Sequence, residues 1–150
     1  MPEQKFNPAT KVSASLLKQL NDAIARELQV AIQYMWQHVQ WGGVKGFAVQ
    51  NELKSIAIAE MKHAETIAER LYYLGEIPTT KPTPILIGTT LKEMIQQDIK
   101  DEAGAIDLYK KIIEQATKEG DVTTAFMFKG ILEQEEDHHD TFTTLMEDLQ

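Results

Sequence analysis

The sequence contains no cysteine. Disulfides, iron–sulfur clusters, thiolate zinc sites and cysteine nucleophiles are therefore all excluded. The fold does not need disulfide support, because 150 residues with 43% apolar content can bury a core of ordinary size. Any metal that this chain binds must use nitrogen or oxygen ligands.

Long apolar runs and basic blocks are also lacking. No stretch approaches the roughly 18 uncharged apolar residues that a membrane span needs, and the start, MPEQKFNPATK, has no apolar core of a signal peptide. The formal net charge is −8, so phosphate backbones are repelled. We therefore expect a cytoplasmic protein that binds neither membrane nor nucleic acid. Its acidic surface should attract metal cations.

Glycine and proline are scarce outside a few short stretches. They concentrate at Gly42–Gly43, between Gly75 and Pro84, at Gly88 and at Gly120, which divides the chain into four segments of roughly 30 residues. Each segment carries apolar residues at spacings of three and four, which is typical of amphipathic helices, and none alternates like a strand. The sequence thus predicts an all-α fold. The apolar face predicted for the third helix comprises Leu91, Ile95, Ile99, Ile106 and Ile113.

One connection is longer than the others. Short turns at Gly42 and Gly120 predict two helical hairpins. Residues 76–88, EIPTTKPTPILIG, are long and proline-rich enough to run the length of a bundle. We therefore predict a single domain over residues 1–150, an antiparallel four-helix bundle with a long crossover between helices two and three. Residues 1–12 are expected to form a flexible tail.

Acidic residues interrupt each apolar stripe at one level. Carboxylates that face a core are costly unless they are paired or bind a metal, so four of them together require a compensating positive charge. Two of the four belong to Glu-x-x-His pairs, in which both side chains project from the same side of a helix. The six candidate ligands, which are also the candidate catalytic residues, are Glu27, Glu60, His63, Glu102, Glu135 and His138.

The candidate ligands form two halves in register. The two glutamates of each half have the same separation along the chain, and the offset from His63 to His138 equals the offset between the corresponding glutamates of the two halves. The pattern predicts a near-symmetric site for two metal ions. Oxygen-rich ligation with one imidazole per metal favours iron or manganese, with zinc as a substitute in crystals.

Two tyrosines and an aspartate are predicted to support the ligands. Tyr34 and Tyr109 are related by the same offset as the two histidines, and each follows a glutamate by two helical turns. Their phenols could bind ligand carboxylates or supply an electron, although a buried tyrosine more often only satisfies its hydroxyl. Asp98 lies one turn before Glu102, and we expect it either to fix an imidazole tautomer or to lie on the surface.

These residues resemble bacterioferritin over roughly Leu20 to Leu149. The matching stretches are ELQVAIQY, EMKHAE, IGTTLKEMIQQDIKDE and ILEQEEDHHD, which contain all six candidate ligands. The resemblance implies a ferritin-like bundle whose six ligands form the ferroxidase site, with Glu60 and Glu135 bridging two iron ions. It also implies that Fe(II) is oxidised by O2 or H2O2 and that ferric mineral is stored within a protein shell.

The resemblance further implies a homo-oligomer and a haem. Met61 stands where bacterioferritins supply an axial ligand to haem b from each subunit of a twofold dimer. The alternative is that Met61 only packs at a dimer interface. Because the chain ends at Gln150, soon after the fourth helix, the short fifth helix of the large shell is not expected. A 24-subunit shell, a 12-subunit shell and an isolated dimer all stay open.

Ferroxidase activity with iron storage is the leading hypothesis. One alternative is a di-iron peroxidase or oxygenase resembling rubrerythrin, against which the absence of rubredoxin-like cysteines argues. The other is a Dps-like mini-ferritin. That family places its iron ligands at a subunit interface, whereas this set of six is complete within one chain. The oxidant, the physiological metal and any electron donor are left open.

Overall fold

The computed structural model describes residues 8–149. All regular secondary structure within that range is helical, which confirms the predicted all-α class. Of the predicted tail, residues 1–7 lie outside the described residues, whereas Val12 already packs against the core. None of the helices in the described range is long and apolar enough to cross a membrane. The helices are α1 (Ala14–Gln40), α2 (Gly43–Tyr73), α3 (Leu91–Lys118) and α4 (Val122–Glu147).

Local side chains and glycines set the ends of the helices. The hydroxyl of Ser13 accepts a backbone hydrogen bond at the start of α1, and Thr90 and Glu93 form a reciprocal capping box at the start of α3. Helices α2 and α3 end just before Gly75 and Gly120, whose φ angles are +101° and +78°. Glycine enters this left-handed region without strain, so both helices stop where the sequence predicts.

The crossover between α2 and α3 spans residues 74–90 and runs alongside α1. Near its start, the Asn21 side chain donates a hydrogen bond to the carbonyl of Ile77. Near its end, the Gln37 side chain donates to the carbonyl of Ile87. The crossover therefore follows α1 from one end to the other, so that α3 begins at the far end and runs antiparallel to α1. This confirms the predicted long crossover.

Two apolar clusters within the described range fill the ends of the bundle. One includes Leu20, Ile67 and Phe128, and the other includes Leu53 and Phe142. In all four helices the predicted ligands lie between the residues of these two clusters. The clusters therefore hold the helices in register at the level of the ligands.

The predicted apolar face of α3 is wrong in part. Leu91 and Ile95 are buried, but Ile99, Ile106 and Ile113 are only half-buried. Polar side chains occupy the inward positions of α3 beyond Ile95. A prediction based on apolar residues alone therefore identifies the residues beside them as the buried face. The inward face beyond Ile95 instead comprises Asp98, Asp101, Glu102, Ala105, Tyr109, Ile112 and Ala116.

Candidate metal centre

The four helices bring all six predicted ligands to one level of the bundle. Each helix contributes one glutamate, and α2 and α4 each add a histidine three residues later. The four glutamates are at most 1% exposed. Two groups of ligand atoms result, and within each group the atoms lie within 4.8 Å of one another. The first group comprises Glu27, Glu60, His63 and Glu135, and the second comprises Glu60, Glu102, Glu135 and His138.

Glu60 and Glu135 belong to both groups. Glu60 places Oε2 at 3.0 Å from His63 Nδ1 and Oε1 at 2.9 Å from His138 Nδ1. Glu135 likewise places Oε1 at 2.8 Å from His63 Nδ1 and Oε2 at 3.9 Å from His138 Nδ1. Each shared carboxylate thus turns one oxygen towards each histidine. A carboxylate that bridges two cations needs this arrangement.

The predicted tyrosines bind the other two carboxylates. Tyr34 on α1 donates a hydrogen bond of 2.6 Å to Oε1 of Glu102 on α3, and Tyr109 on α3 donates to Oε1 of Glu27 on α1. Both tyrosines are fully buried. The Oε2 atoms of Glu27 and Glu102 are buried and have no hydrogen-bond partner among the described residues. A buried carboxylate oxygen without a donor is costly, so these residues fit a site that takes cations.

Burial and mutual repulsion perturb the carboxyl groups. Burial first, and neighbouring carboxylates second, raise the pKa of Glu60, Glu102 and Glu135. Burial alone would lower the pKa of His63, but the carboxylates of Glu135 and Glu27, which lie 2.8 Å and 3.7 Å from its Nδ1, outweigh burial and raise that pKa to about 10. The site therefore retains protons that a divalent cation would displace.

Neither predicted role fits Asp98. The side chain is fully buried, and its Oδ1 accepts hydrogen bonds of 3.0 Å from Gln33 and 2.9 Å from Gln37. Its partners are amides rather than an imidazole, because α1 presents buried glutamines at this level. The signal in the sequence was the spacing of four residues that places Gln29, Gln33 and Gln37 on one face of α1.

Met61 lies apart from the carboxylates, on the outer face of α1 and α2. Its side chain is 53% exposed and lines an apolar groove together with Ile32, Trp36 and Ile58.

Sequence reasoning also missed a contact of His63, on the side of its ring that faces away from the carboxylates. Its Nε2 lies 2.7 Å from Oε1 of Gln134 on α4. A single glutamine on an exposed helical position carries no signal of such a contact.

Comparisons of the sequence with known proteins identify its relatives. The family model of the ferritin-like domain matches residues 17–150. The bacterioferritin of Desulfovibrio desulfuricans is 35% identical over 126 residues, which cover 83% of this chain and 70% of that protein. The bacterioferritin of Brucella melitensis is 30% identical over 142 residues, which cover 91% of this chain and 86% of that protein.

The solved structures that resemble this chain include two diiron proteins. A ferritin-like, diiron-carboxylate protein of Bacillus anthracis matches with a TM-score of 0.85 and 24% identity, over 88% of this chain and 95% of that one, which supports the fold alone. The D. desulfuricans bacterioferritin, solved with its diiron site in different catalytic states, matches with a TM-score of 0.78 and 30% identity, over 89% of this chain and 79% of that one. The chain therefore belongs to the bacterioferritins of the ferritin-like family.

Proposed function

We propose that this chain is a ferroxidase that oxidises Fe(II) with O2 or H2O2 for iron storage and detoxification. The observation that supports this most directly is the pair of ligand groups that share Glu60 and Glu135. Two Fe(II) ions, as substrate, supply two electrons. These electrons reduce O2 with two protons to H2O2, or H2O2 with two protons to two water molecules.

Each residue has its own task in this proposal. His63 and His138 bind one iron ion each through Nδ1, and Glu60 and Glu135 span both ions. The remaining two glutamates bind one ion each, through the oxygen that the tyrosine hydrogen bonds leave free. Nitrogen and oxygen ligands in this ratio suit iron or manganese. The shared carboxylates keep both ions close enough to deliver their electrons to one oxidant molecule.

Anaerobic titration with Fe(II), followed by O2, tests the proposal. We expect two Fe(II) ions to bind per chain and to oxidise rapidly when O2 or H2O2 is added, as followed by absorbance. Binding of fewer than two ions contradicts the assignment of the site. Soluble ferric mineral that sediments with a large assembly supports storage. Oxidised iron that stays at two ions per chain until a reductant is added supports the peroxidase or oxygenase alternative instead.

Glu60→Ala tests the bridging role. Removal of this carboxylate takes a ligand from both positions, so we expect rapid oxidation to fall by more than the roughly 10–100-fold that loss of an outer partner costs. The helical circular dichroism should persist, because the substitution removes a buried negative charge at the same time as the cation that compensates it. Glu65→Ala, on the exposed side of α2, is the matched control. Unchanged oxidation in Glu60→Ala would refute its bridging role.

We also propose that the chain forms a homo-oligomer of twofold dimers, in a 24- or 12-subunit shell, in the cytoplasm. The support is the exposed apolar face of α1 and α2, where Trp36 is 51% and Ile58 42% exposed. The thioether of Met61 is accessible on the same face and would hold a haem b between two subunits. Added haem should give a Soret band at one haem per two chains, and Met61→Leu should abolish its ligation. Identical haem spectra for both proteins would contradict this.

A further inference from the structure

The six candidate ligands repeat in two matching halves, but the hydrogen bonds at the far side of the two histidine rings do not. His63 Nε2 lies 2.7 Å from Oε1 of Gln134, whereas His138 Nε2 makes no hydrogen bond within residues 8–149. The offset along the chain that relates His63 to His138 also relates Ala59 to Gln134. A methyl group cannot accept a hydrogen bond, so the position that would support His138 offers no acceptor. The difference between the two halves is therefore encoded in the sequence.

The contact has a definite chemical effect on the ring of His63. Its Nδ1 faces the carboxylates, so Nε2 must carry the hydrogen when Nδ1 binds a cation. The amide oxygen of Gln134 accepts that hydrogen and also fixes the plane of the ring. The side chain of His63 is 6% exposed, against 13% for His138. One imidazole is thus held from both sides, and the other from one side only.

We propose that Gln134 is a positioning residue that fixes the Nε2–H tautomer of His63. In this way it makes the position formed by Glu27, Glu60, His63 and Glu135 the tighter of the two metal positions. The inference rests on the proposed function only in requiring that both positions bind a divalent cation. An imidazole that is already oriented loses less freedom on binding, and a hydrogen-bond acceptor at Nε2 increases the basicity of Nδ1.

Anaerobic titration with Co(II) tests this without any oxidation chemistry. The visible absorbance reports the affinity of each step, and the paramagnetically shifted imidazole N–H signals report how fast each proton exchanges with water. The wild type should bind two Co(II) ions in two unequal steps, with slow exchange at His63. Gln134→Ala should weaken the first step by about 10–100-fold, leave the second unchanged and speed the exchange.

Three further variants sharpen the test. Gln134→Glu should restore the first step, because a carboxylate accepts the same hydrogen bond. Ala59→Gln supplies the acceptor that His138 lacks and should tighten the second step. Gln96→Ala removes an exposed glutamine of α3 that has no hydrogen bond within the described residues, and it should behave as the wild type.

Each outcome separates this inference from the proposed function. Fewer than two Co(II) ions per wild-type chain contradicts the proposed function itself. Two ions with both steps unchanged in Gln134→Ala overturns the inference alone. If Gln134→Ala loses helical signal, Ala59→Gln decides, because it removes no contact. A tighter second step then supports the inference, and an unchanged one overturns it.

Discussion

Tyr34 and Tyr109 connect the two helical hairpins from within the candidate metal centre. Each phenol crosses between α1 and α3 to reach a glutamate on the other helix. Burial first, and the nearby carboxylates second, raise the pKa of both tyrosines well above 10.0. Both therefore stay protonated as donors. Each phenol holds one oxygen of its glutamate and leaves the other free to bind a cation.

Tyr34→Phe should separate the two ligand groups. The substitution leaves Oε1 of Glu102 buried without a donor, which costs about 1–3 kcal/mol. We expect the unfolding free energy of the metal-free protein to fall by that amount in urea. Co(II) should bind less tightly only at the position that contains Glu102. Tyr73→Phe is the control, since it keeps the exposed ring that packs against Arg70. Equal weakening of both Co(II) steps would contradict the assignment.

Glu102→Gln should change how stability depends on pH. Burial first, and repulsion from Glu135 second, raise the pKa of Glu102 above its ordinary 4.5. The folded metal-free protein then keeps a proton that the unfolded chain releases. The unfolding free energy therefore falls as pH rises from about 4.5 until the folded pKa is passed. His63, whose pKa is raised to about 10, adds a decline of the same sign at higher pH.

Glutamine does not titrate. Glu102→Gln should therefore lose the part of the fall in unfolding free energy that Glu102 causes, which is up to about 1.4 kcal/mol per pH unit. Urea unfolding between about pH 5 and pH 8 in the presence of a chelator measures it. The variant should gain stability relative to the wild type as pH rises, although it binds only one Co(II) ion tightly. A decline as steep as that of the wild type would show that Glu102 keeps its ordinary pKa.

At the scale of elements, a ladder of glutamines on α1 joins the crossover to α3. The Oε1 atom of Gln33 accepts a hydrogen bond of 3.0 Å from the Leu86 amide of the crossover. Its Nε2 donates to Asp98 at 3.0 Å and to Asp101 at 2.8 Å. Gln29 donates to Gln33 from the preceding turn. One fully buried amide thus fixes three elements relative to one another.

Gln33→Leu should loosen the crossover. It removes the hydrogen-bond partner of the Gln29 Nε2 and of the Leu86 amide, whereas Asp98 and Asp101 keep other donors. At about 1–3 kcal/mol for each group, we expect the unfolding free energy in urea to fall by about 2 kcal/mol or more. Hydrogen exchange at the Leu86 amide should become faster. Gln40→Leu, at the exposed end of α1, provides the comparison. Unchanged protection of Leu86 would mean that other contacts hold the crossover.

The physical signals that predicted the helices and the metal ligands do not predict the polar residues that hold them in place. Glycines and prolines punctuate the chain, so the four helices and the crossover were predictable. The six candidate ligands were found because an acid on an apolar stripe requires an explanation. Gln33 and Gln134 were missed, because an uncharged glutamine is common on helix surfaces. Asp98 was misjudged for the same reason, since its partners are glutamines.

At the scale of the whole molecule, the exposed apolar face of α1 and α2 should govern assembly. Trp36→Glu places a charge on this face, and burying an unpaired charge is costly. If the proposed twofold dimer forms through this face, sedimentation should show dimers or larger assemblies for the wild type and monomers for the variant. Phe126→Glu, on the start of α4 and 78% exposed, should keep the dimers. Loss of dimers only in Phe126→Glu would place the twofold contact elsewhere.

Helices α2 and α4 form little of the interface between the two hairpins, because few of their backbone positions approach one another. At that face the candidate metal centre supplies contacts between His63 and Gln134 and between Glu60 and His138. Cations held there would act as cross-links that must dissociate before the hairpins can separate. The unfolding rate of the loaded protein should then follow the rate of metal release rather than the strength of apolar packing. Resistance to proteolysis should accordingly rise and fall with the supply of iron.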